Sequence, residues 1–219
     1  LESEFSGTIE NQEINQLKEN KKRGHIKTKG SFDLNENTYF DFQVHRTTDR
    51  NYLNTYKYNY RDTLETNVKL ESFRANNFYS FQSYLFQDLR QEFNRRNTPK
   101  ILPRIRLNLN SDNYTNDLNF NTNIEFANIL RTDGNETKKL FLQQKIEFPK
   151  FFKDGTLIKP AAYLNAGIYN IEKFQNPKTN TFEFDKIRTN FFPQVSLELS
   201  KPFYKKDQNF ITIISPKIL

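Results

Sequence analysis

The stretch of sequence from residue 118 to residue 126 reads Leu-Asn-Phe-Asn-Thr-Asn-Ile-Glu-Phe. In an extended chain, Leu118, Phe120 and Ile124 fall on one side. Asn121 and Asn123 fall on the other side, between these apolar residues. A period of two belongs to a β-strand, because successive side chains of a strand point to opposite faces. Residues 118–126 are therefore predicted to form a strand with one apolar and one polar face.

The same alternation recurs along nearly the whole chain, in segments about ten residues long. The predicted strands are 1–9, 23–34, 38–47, 64–74, 77–88, 100–110, 116–127, 139–148, 157–171, 184–200 and 208–215. We predict an all-β fold, namely a segment of an antiparallel transmembrane β-barrel with roughly ten to eleven meandering strands. Strand length favours a barrel, because strands in soluble sheets average about five or six residues, whereas tilted strands of about ten residues cross a bilayer.

The predicted connections alternate in length. Short turns, rich in Asn, Asp and Gly, are predicted at 35–37, 75–76, 111–113 and 154–155. Longer loops are predicted at 48–62, 89–99, 128–138 and 172–183. Short turns on one rim and long loops on the other are typical of outer-membrane barrels.

The composition favours one domain and excludes some classes of protein. No glycine-, serine- or proline-rich linker divides the 219 residues, so residues 1–219 are predicted to be part of one barrel domain without a second domain. The sequence has no cysteine, which excludes disulfides and thiolate metal sites. Mean hydropathy is -0.86, and no run approaches the roughly 18 to 20 apolar residues of a transmembrane helix. A helical membrane protein is therefore excluded.

The chain is basic, with a formal net charge of +7. A nucleic-acid or anionic-lipid partner is one explanation, but the basic residues are spread along the sequence without a block. We interpret the excess as the bias of an AT-rich coding sequence. Residues 56–61, Tyr-Lys-Tyr-Asn-Tyr-Arg, interleave rings and cations as single-strand nucleic-acid platforms do. No other nucleic-acid motif accompanies them, so we predict no nucleic-acid partner and interpret them as the end of a membrane strand.

Other candidate sites are weakly supported. His25 and His45 are predicted on neighbouring strands of one hairpin, but no third ligand is evident, so no metal site is predicted. Glu183 and Asp185 share a face, as the carboxylates of glycoside hydrolases do. No nucleophile motif or phosphate-binding glycine loop accompanies them, so neither an enzyme nor a cofactor is predicted. Residues 133–136 lack the ligand spacing of a calcium loop and are predicted to form a turn.

Several motifs carry a resemblance to a known family. They are Arg23-Gly24-His25-Ile26, Phe32-Asp33-Leu34, residues 42–56, Leu70-Glu71-Ser72-Phe73, residues 78–82, Phe86-Gln87-Asp88-Leu89, residues 99–103, residues 163–169, Phe192-Pro193, Lys201-Pro202-Phe203 and residues 214–218. In this order and spacing they resemble the LptD (OstA) lipopolysaccharide-assembly family, in its alphaproteobacterial form. The resemblance implies that the chain is an internal fragment of the barrel of an outer-membrane protein.

The resemblance implies transport without chemistry: part of the translocon that inserts lipopolysaccharide into the outer leaflet of a Gram-negative outer membrane. The implied partners are lipopolysaccharide, outer-membrane lipid, a plug lipoprotein similar to LptE and a periplasmic bridge similar to LptA. The disulfide-linked cysteines of the family have no counterpart in this sequence. An alternative, based on the residues alone, is a soluble or secreted β-sandwich that binds glycans and buries its apolar face against a second sheet.

Strand parity predicts which side chains share each face of a barrel wall. The residues predicted to face the lumen, as candidates for glycan passage, are Gln43, His45, Arg104, Arg106, Asn108, Asn119, Asn121, Asn123, Gln143 and Lys145. The residues predicted to face lipid are Phe40, Phe42, Val44, Ile105, Leu107, Leu109, Leu140, Leu142 and Ile146. A lumen that passes an anionic glycan is expected to present amides, hydroxyls and cations. A shift of one residue would exchange the two sets.

Overall fold

The computed structural model describes residues 1–14, 17–58, 61–92, 94–111, 118–175, 181–183, 186–206 and 211–218. About three quarters of these residues belong to β-strands. One helical turn, α1, spans Tyr52–Thr55, and one 3₁₀ turn spans Arg95–Asn97. Within the ranges given above, no helix is long and apolar enough to cross a membrane.

The strands pair in the order in which they occur along the chain. The first eight are β1 (Glu2–Ile14), β2 (Leu17–Asn35), β3 (Thr38–Thr47), β4 (Thr63–Arg74), β5 (Asn77–Asp88), β6 (Lys100–Asn110), β7 (Asn119–Leu130) and β8 (Glu136–Glu147). The others are β9 (Lys150–Phe151), β10 (Leu157–Glu172), β11 (Phe174–Gln175), β12 (Phe182–Glu183), β13 (Lys186–Ser200), β14 (Phe203–Lys206), β15 (Ile211–Ile214) and β16 (Lys217–Ile218).

Twelve of these strands form one sheet. Its order is β1-β2-β3-β4-β5-β6-β7-β8-β10-β13-β16, and β9 lies beside β10. The pairings between neighbouring strands are antiparallel, as in a meander. Two further hairpins, β11–β12 and β14–β15, form separate two-stranded sheets. The structure therefore confirms the predicted all-β, antiparallel architecture.

The register keeps apolar side chains on one face from strand to strand. Residues directly opposite each other in an antiparallel pair lie on the same face. Successive direct partners form an unbroken apolar row across β2 to β8 and β10. The members of this apolar row are Phe32, Phe40, Leu70, Phe81, Ile105, Phe126, Leu140 and Ile168. The sheet is thus amphipathic as a whole, and not only strand by strand.

Because neighbouring strands run in opposite directions, their connections alternate between two rims of the sheet. The loops 48–62 and 89–99 lie on one rim, which we call the long-loop rim. The turns at 36–37 and 75–76 lie on the other, the short-turn rim, and Ala75 has the left-handed φ of 48° that such a turn requires. These predicted connections are confirmed.

Three predicted connections have a different outcome. The predicted loop 172–183 contains the short hairpin β11–β12. The predicted loop 128–138 is too long, since β7 continues to Leu130 and β8 begins at Glu136. These extra strand residues keep their ladder partners; Ile129, for example, pairs with Thr137. The predicted turn at 111–113 falls largely outside the described residues.

The first hairpin is longer than the alternation predicts. β1 continues to Ile14 and β2 begins at Leu17, whereas the pattern predicts strands over 1–9 and 23–34. Pairing between β2 and β3 begins only at His25, so the preceding part of β2 has β1 as its neighbour and extends past β3. A hairpin beyond the packed sheet needs no apolar face. Its sequence therefore lacks the alternation that marks the other strands.

A buried apolar cluster lies at the long-loop rim. Tyr52 is 2% exposed, and Leu53 and Leu64 are each 1% exposed. Leu89 completes the cluster, and its backbone N–H donates to the Asp62 carbonyl at 2.8 Å. Burial of such a side chain stabilises the fold by about 1.5–3 kcal/mol. The helical turn α1 is thereby anchored to the ends of β4 and β5.

Gly24→Ala is expected to destabilise the first hairpin. Gly7 and Gly24 are direct partners in β1 and β2, and a Cβ on Gly24 would lie 2.7 Å from the Ser6 carbonyl oxygen. Backbone atoms of a paired strand cannot move aside without loss of the ladder. We therefore expect the free energy of unfolding, measured by urea denaturation in lipid, to fall by about 1–3 kcal/mol.

Gly7→Ala is the matched control for this substitution. A Cβ on Gly7 would meet only the Arg23 carbonyl oxygen, at an ordinary contact distance of 3.7 Å. Its unfolding free energy should stay close to that of the unsubstituted protein. Equal losses in the two variants would contradict the steric explanation.

Candidate functional site

The polar face of the sheet is the candidate functional surface. The register places every residue predicted to face the lumen on this face, from Gln43 and His45 on β3 to Gln143 and Lys145 on β8. It places every residue predicted to face lipid on the opposite face, including Leu107, which lies between Tyr79 and its other partner Ile124. The structure thus separates the two predicted sets without exception.

Cations in the middle of the polar face are paired with carboxylates. Arg104 Nη2 lies 2.8 Å from Glu125 Oε2, and Lys139 Nζ lies 2.5 Å from Glu125 Oε1. Arg106 lies 3.8 Å from Glu71, which also accepts a hydrogen bond of 2.9 Å from Gln82 Nε2. The sequence predicts cations on this face, but it does not identify the glutamates that neutralise them. The positive charge of the surface is therefore partly compensated.

Four asparagines on β6 and β7 form a closed ring of hydrogen bonds. The Nδ2 of Asn108 donates to Asn123 at 2.6 Å, and the Nδ2 of Asn123 donates to Asn121 at 2.9 Å. Asn121 donates to Asn110, and Asn110 donates back to Asn108 at 2.9 Å. Each amide is donor and acceptor within the ring, so the four side chains hold one another in fixed orientations.

The amide ring continues toward β8 and the short-turn rim. Asn123 Nδ2 also donates to Gln143 Oε1 at 3.2 Å. Lys145 Nζ is paired with Glu147 Oε2 at 2.6 Å, and Asn119 lies directly opposite Glu147. Side chains of these strands line a cavity of about 490 Å³. Amides and one compensated ion pair thus provide many hydrogen-bonding groups for a hydroxylated ligand.

The remaining predicted residues, Gln43 and His45, lie apart from the ring. They belong to β3, close to the long-loop rim, and face the direct partners Lys29 and Lys27 on β2. Together with Arg61 they line a separate cavity of about 410 Å³. The polar face therefore carries two distinct regions, one near each rim.

The opposite face remains exposed over most of its width. Leu140 is 45% exposed, Phe81 is 44% exposed and Ile168 is 53% exposed, although all three belong to the apolar row. In the part of the chain that the structure describes, no second sheet covers them. Soluble monomers rarely expose a contiguous apolar patch of more than a few hundred Å², about 300–600 Å² at most. This arrangement does not favour the β-sandwich alternative.

An ionic network ties the loop 48–62 to the first hairpin. Arg23 binds Asp49 through two hydrogen bonds, of 2.7 Å from Nε and 2.9 Å from Nη2, and binds Glu10 at 2.7 Å from Nη1. The Tyr56 hydroxyl donates to the same Glu10 oxygen at 2.8 Å. The Arg23 guanidinium holds the pKa of the Asp49 carboxyl below its usual range. Sequence reasoning missed this network, since its members are far apart in the chain.

A second set of contacts pins α1 to the polar face. Ser6 Oγ lies 2.7 Å from His25 Nδ1 and 2.7 Å from the Tyr52 hydroxyl. His25 Nε2 lies 3.2 Å from Glu4 Oε1, and the Tyr58 ring packs on the imidazole with centroids 4.3 Å apart. These partners give His25 a structural role. Across the described ranges, no group of three or more His, Cys, Asp or Glu side chains is placed to hold a metal ion.

The other candidate motifs also have structural partners. Asp133 is paired with Arg96 at 2.9 Å, and Glu136 is paired with Lys173 at 2.7 Å. Gly134 has a φ of 99°, as expected for the predicted turn. Asp185, the second carboxylate of the predicted pair, lies outside the described residues, as do positions 59 and 60 of the aromatic and basic motif.

These features define a class of protein: an all-β protein whose main sheet has one exposed apolar face and one polar face. The family model of LptD, described as LPS transport system D, matches residues 21–219. The chain therefore belongs to the LptD family, which acts in lipopolysaccharide transport, and the predicted resemblance is confirmed at this level. Comparison with curated protein sequences gives no match. The alphaproteobacterial form and the fragment status stay predictions.

Acidification is expected to release the loop 48–62 from the hairpin. A lowered folded-state pKa means that the Asp49 contribution to stability is present above the unfolded pKa of about 3.9 and is lost as pH falls through the lower folded value. The chain has no cysteine, so a single spin label at Asn54→Cys reports on the loop alone. Label mobility should rise as pH is lowered from about 5 to about 2.

Asp49→Asn supplies the matching test at neutral pH. The amide cannot form the ionic bond to Arg23, so the label should already be mobile at pH 7 and should respond less to acid. Asp154→Asn, in a turn of the short-turn rim, is the control and should leave the mobility profile unchanged. A mobility profile that does not change with pH in the Asn54→Cys protein, or that is identical in all three proteins, would contradict the proposal that the Arg23–Asp49 ion pair holds the loop 48–62.

Proposed function

We propose that the chain forms part of the wall of the translocon that inserts lipopolysaccharide into the outer leaflet of a Gram-negative outer membrane. The observation that carries the proposal is the two-faced sheet, with an exposed apolar row on one face and a cross-linked polar surface on the other. In this proposal residues 1–219 are one segment of a barrel domain in the outer membrane. The process is transport, without a chemical reaction or cofactor.

The apolar face is proposed to contact lipid hydrocarbon. A membrane interior offers no hydrogen bonds to the backbone, and strands inside a continuous sheet satisfy these groups through their neighbours. The apolar row crosses eight strands, which corresponds to a band roughly 34 Å wide at about 4.8 Å per strand. Phe40, Phe42 and the other residues predicted to face lipid all lie on this face.

The polar face is proposed to line the path of the glycan. A transported molecule must bind well enough to enter and weakly enough to leave. Fully exposed cations would hold an anionic glycan tightly, whereas Arg104 and Lys139 share the negative charge of Glu125, which lowers the net charge of the three groups from +2 to +1. The amide ring and its neighbours offer hydrogen bonds to sugar hydroxyls at a modest free-energy gain, about 0.5–1.5 kcal/mol each. Such a surface suits passage more than retention.

The partners proposed for the chain follow from its family. Lipopolysaccharide is the substrate, a plug lipoprotein similar to LptE is proposed to occupy the lumen, and a periplasmic bridge similar to LptA is proposed to deliver the substrate. The support is the match to the LPS transport family over residues 21–219. No feature of the described residues favours a nucleic-acid partner.

Leu142→Arg and Gln143→Arg provide a matched test of which face meets lipid. The two residues are neighbours in β8, and they project to opposite faces beside Ile124 and Asn123. Leu142→Arg should lower the free energy of unfolding in lipid vesicles by about 2–4 kcal/mol, the cost of a cation near the bilayer midplane. Gln143→Arg should change it by less than about 1 kcal/mol. Equal changes in the two variants would contradict the assignment of the faces, and a larger loss for Gln143→Arg would reverse it.

Cross-linking in cells tests the glycan path directly. A photoreactive amino acid is placed at Asn165, which lies opposite Gln143, or at Ala166, which lies opposite Leu142. Position 165 should form an adduct with lipopolysaccharide only while lipopolysaccharide is being synthesised and exported. Adducts at position 166 should come from resident membrane lipid and persist when synthesis is stopped. An adduct at position 165 that never forms, or that persists without synthesis, would contradict the proposed path.

A further inference from the structure

We propose that the cavity between β3 and β4 near the long-loop rim is a binding site for an anionic group, phosphate or carboxylate, carried on a sugar. We call it the β3–β4 cavity; it has a volume of about 410 Å³ and is lined by Lys27, Gln43, His45, Arg61, Thr63, Leu64 and Glu65. The inference rests on the proposed function only in that the sugar would belong to the transported glycan. The site itself is defined by geometry and charge.

The cavity exists because the ladder between β3 and β4 stops early. Direct pairing of these strands ends at Gln43 and Asn67. However, β3 continues to Thr47 and β4 already begins at Thr63. The last residues of β3 and the first residues of β4 therefore separate, although both remain extended. A regular sheet of this register would have no space there.

Side chains hold this separation open. The His45 N–H donates to Thr66 Oγ1 at 3.3 Å, where a strand carbonyl would otherwise accept. Gln87 bridges to Thr47 from the far side of β4: its Oε1 accepts from the Thr47 N–H at 3.1 Å, and its Nε2 donates to the Thr47 carbonyl at 2.7 Å. The backbone groups are satisfied without a ladder. Specific side-chain hydrogen bonds therefore stabilise the separation of β3 from β4.

The charges around the cavity differ from those on the rest of the polar face. Arg104 and Lys139 share Glu125 as their ion-pair partner, and Lys145 is paired with Glu147. Among the described residues, neither Lys27 nor Arg61 has an ion-pair partner within 4.0 Å. Lys27 lies directly opposite His45 on β3 and Glu4 on β1, and Glu4 bonds to His25 at 3.2 Å instead. An anion in the cavity would supply Lys27 and Arg61 with a charged partner.

The groups available match the chemistry of an anionic sugar. A guanidinium and an ammonium give charge-assisted hydrogen bonds to phosphate or carboxylate oxygens. The Gln43 amide and the Thr63 hydroxyl are neutral groups suited to sugar hydroxyls. Glu65 is the one carboxylate in the lining, and it accepts a hydrogen bond of 2.5 Å from Asn67 Nδ2. The negative charge of Glu65 opposes anion binding. Its removal by substitution is therefore expected to strengthen binding, whereas removal of Lys27 or Arg61 is expected to weaken it.

The two histidines of the chain make the site observable by NMR. His45 lines the cavity, whereas the side chain of His25 is 1% exposed and bonded to Ser6 and Glu4. The full chain, labelled with ¹³C at histidine and held in detergent micelles, is titrated with inorganic phosphate, glucose 6-phosphate, glucuronate and neutral glucose at constant pH and ionic strength. The His45 signal should shift saturably with the anions and should not respond to glucose, while the His25 signal stays in place.

Substitutions then identify the groups that bind. Lys27→Gln and Arg61→Gln should each weaken glucose 6-phosphate binding by about tenfold, as expected for loss of one charge-assisted hydrogen bond. Glu65→Gln should strengthen it. Lys69→Gln is the matched control, because it removes one positive charge from the same face, outside the lining of the cavity. Tighter binding of glucose 6-phosphate than of inorganic phosphate would assign the site to sugar-linked anions; equal or weaker binding would overturn that part.

A His45 signal that does not shift with any anion would overturn the proposal. Equal shifts of both histidines, or equal weakening by Lys27→Gln and Lys69→Gln, would do the same, since each would indicate non-specific screening. The transport proposal is tested separately, by the adducts at positions 165 and 166. A failed titration with intact export-dependent adducts would reject the anion site alone, and the reverse result would reject the path alone.

Discussion

The register of the antiparallel ladder is the constraint on which the rest of the structure depends. A shift of one residue between two strands would move every side chain to the opposite face. The register that aligns Phe81, Ile105 and Phe126 in the apolar row also aligns Asn108 with Asn123 on the other face. The amide ring and the glutamate ion pairs are therefore consequences of the pairing that gathers the apolar residues. One set of backbone hydrogen bonds specifies both surfaces.

The sheet departs from this regularity at the long-loop rim. There the ladder between β3 and β4 ends, and the side chains of Thr66 and Gln87 replace strand carbonyls and N–H groups as partners. The loop 48–62 folds onto the same rim through Tyr52 and the Arg23–Asp49 pair. Local irregularity, a buried cluster and the two cations of the β3–β4 cavity, Lys27 and Arg61, thus coincide. Sites that break the local rules of a fold are where function is most often found.

The sequence predicts the regular part of the fold well, because a period of two is a local signal. The faces of residues such as Leu107 and Gln143 follow from parity alone once the strands are found. The extension of β1 and β2 carries no such signal, because apolar and polar residues need not alternate in a hairpin without a packed face. The contacts of Asp49 and Tyr52 join residues more than twenty positions apart, and no short motif indicates them. The separation of β3 from β4 is equally invisible, because both segments still read as strands.

The pairing of charges gives the polar face its functional character. From the residue types alone, one expects unpaired cations on this face that attract an anionic glycan. In the structure, Arg104 and Lys139 share the single negative charge of Glu125, and Lys145 is paired with Glu147, so the positive charge of the face is reduced. Within the described part of the chain, Lys27 and Arg61 have no carboxylate at ion-pair distance, and both line the β3–β4 cavity near the long-loop rim. For the proposed glycan path, two cations at one rim and partly compensated charges along the rest of the face would allow a polyanion to be captured at that rim without being held along the whole wall.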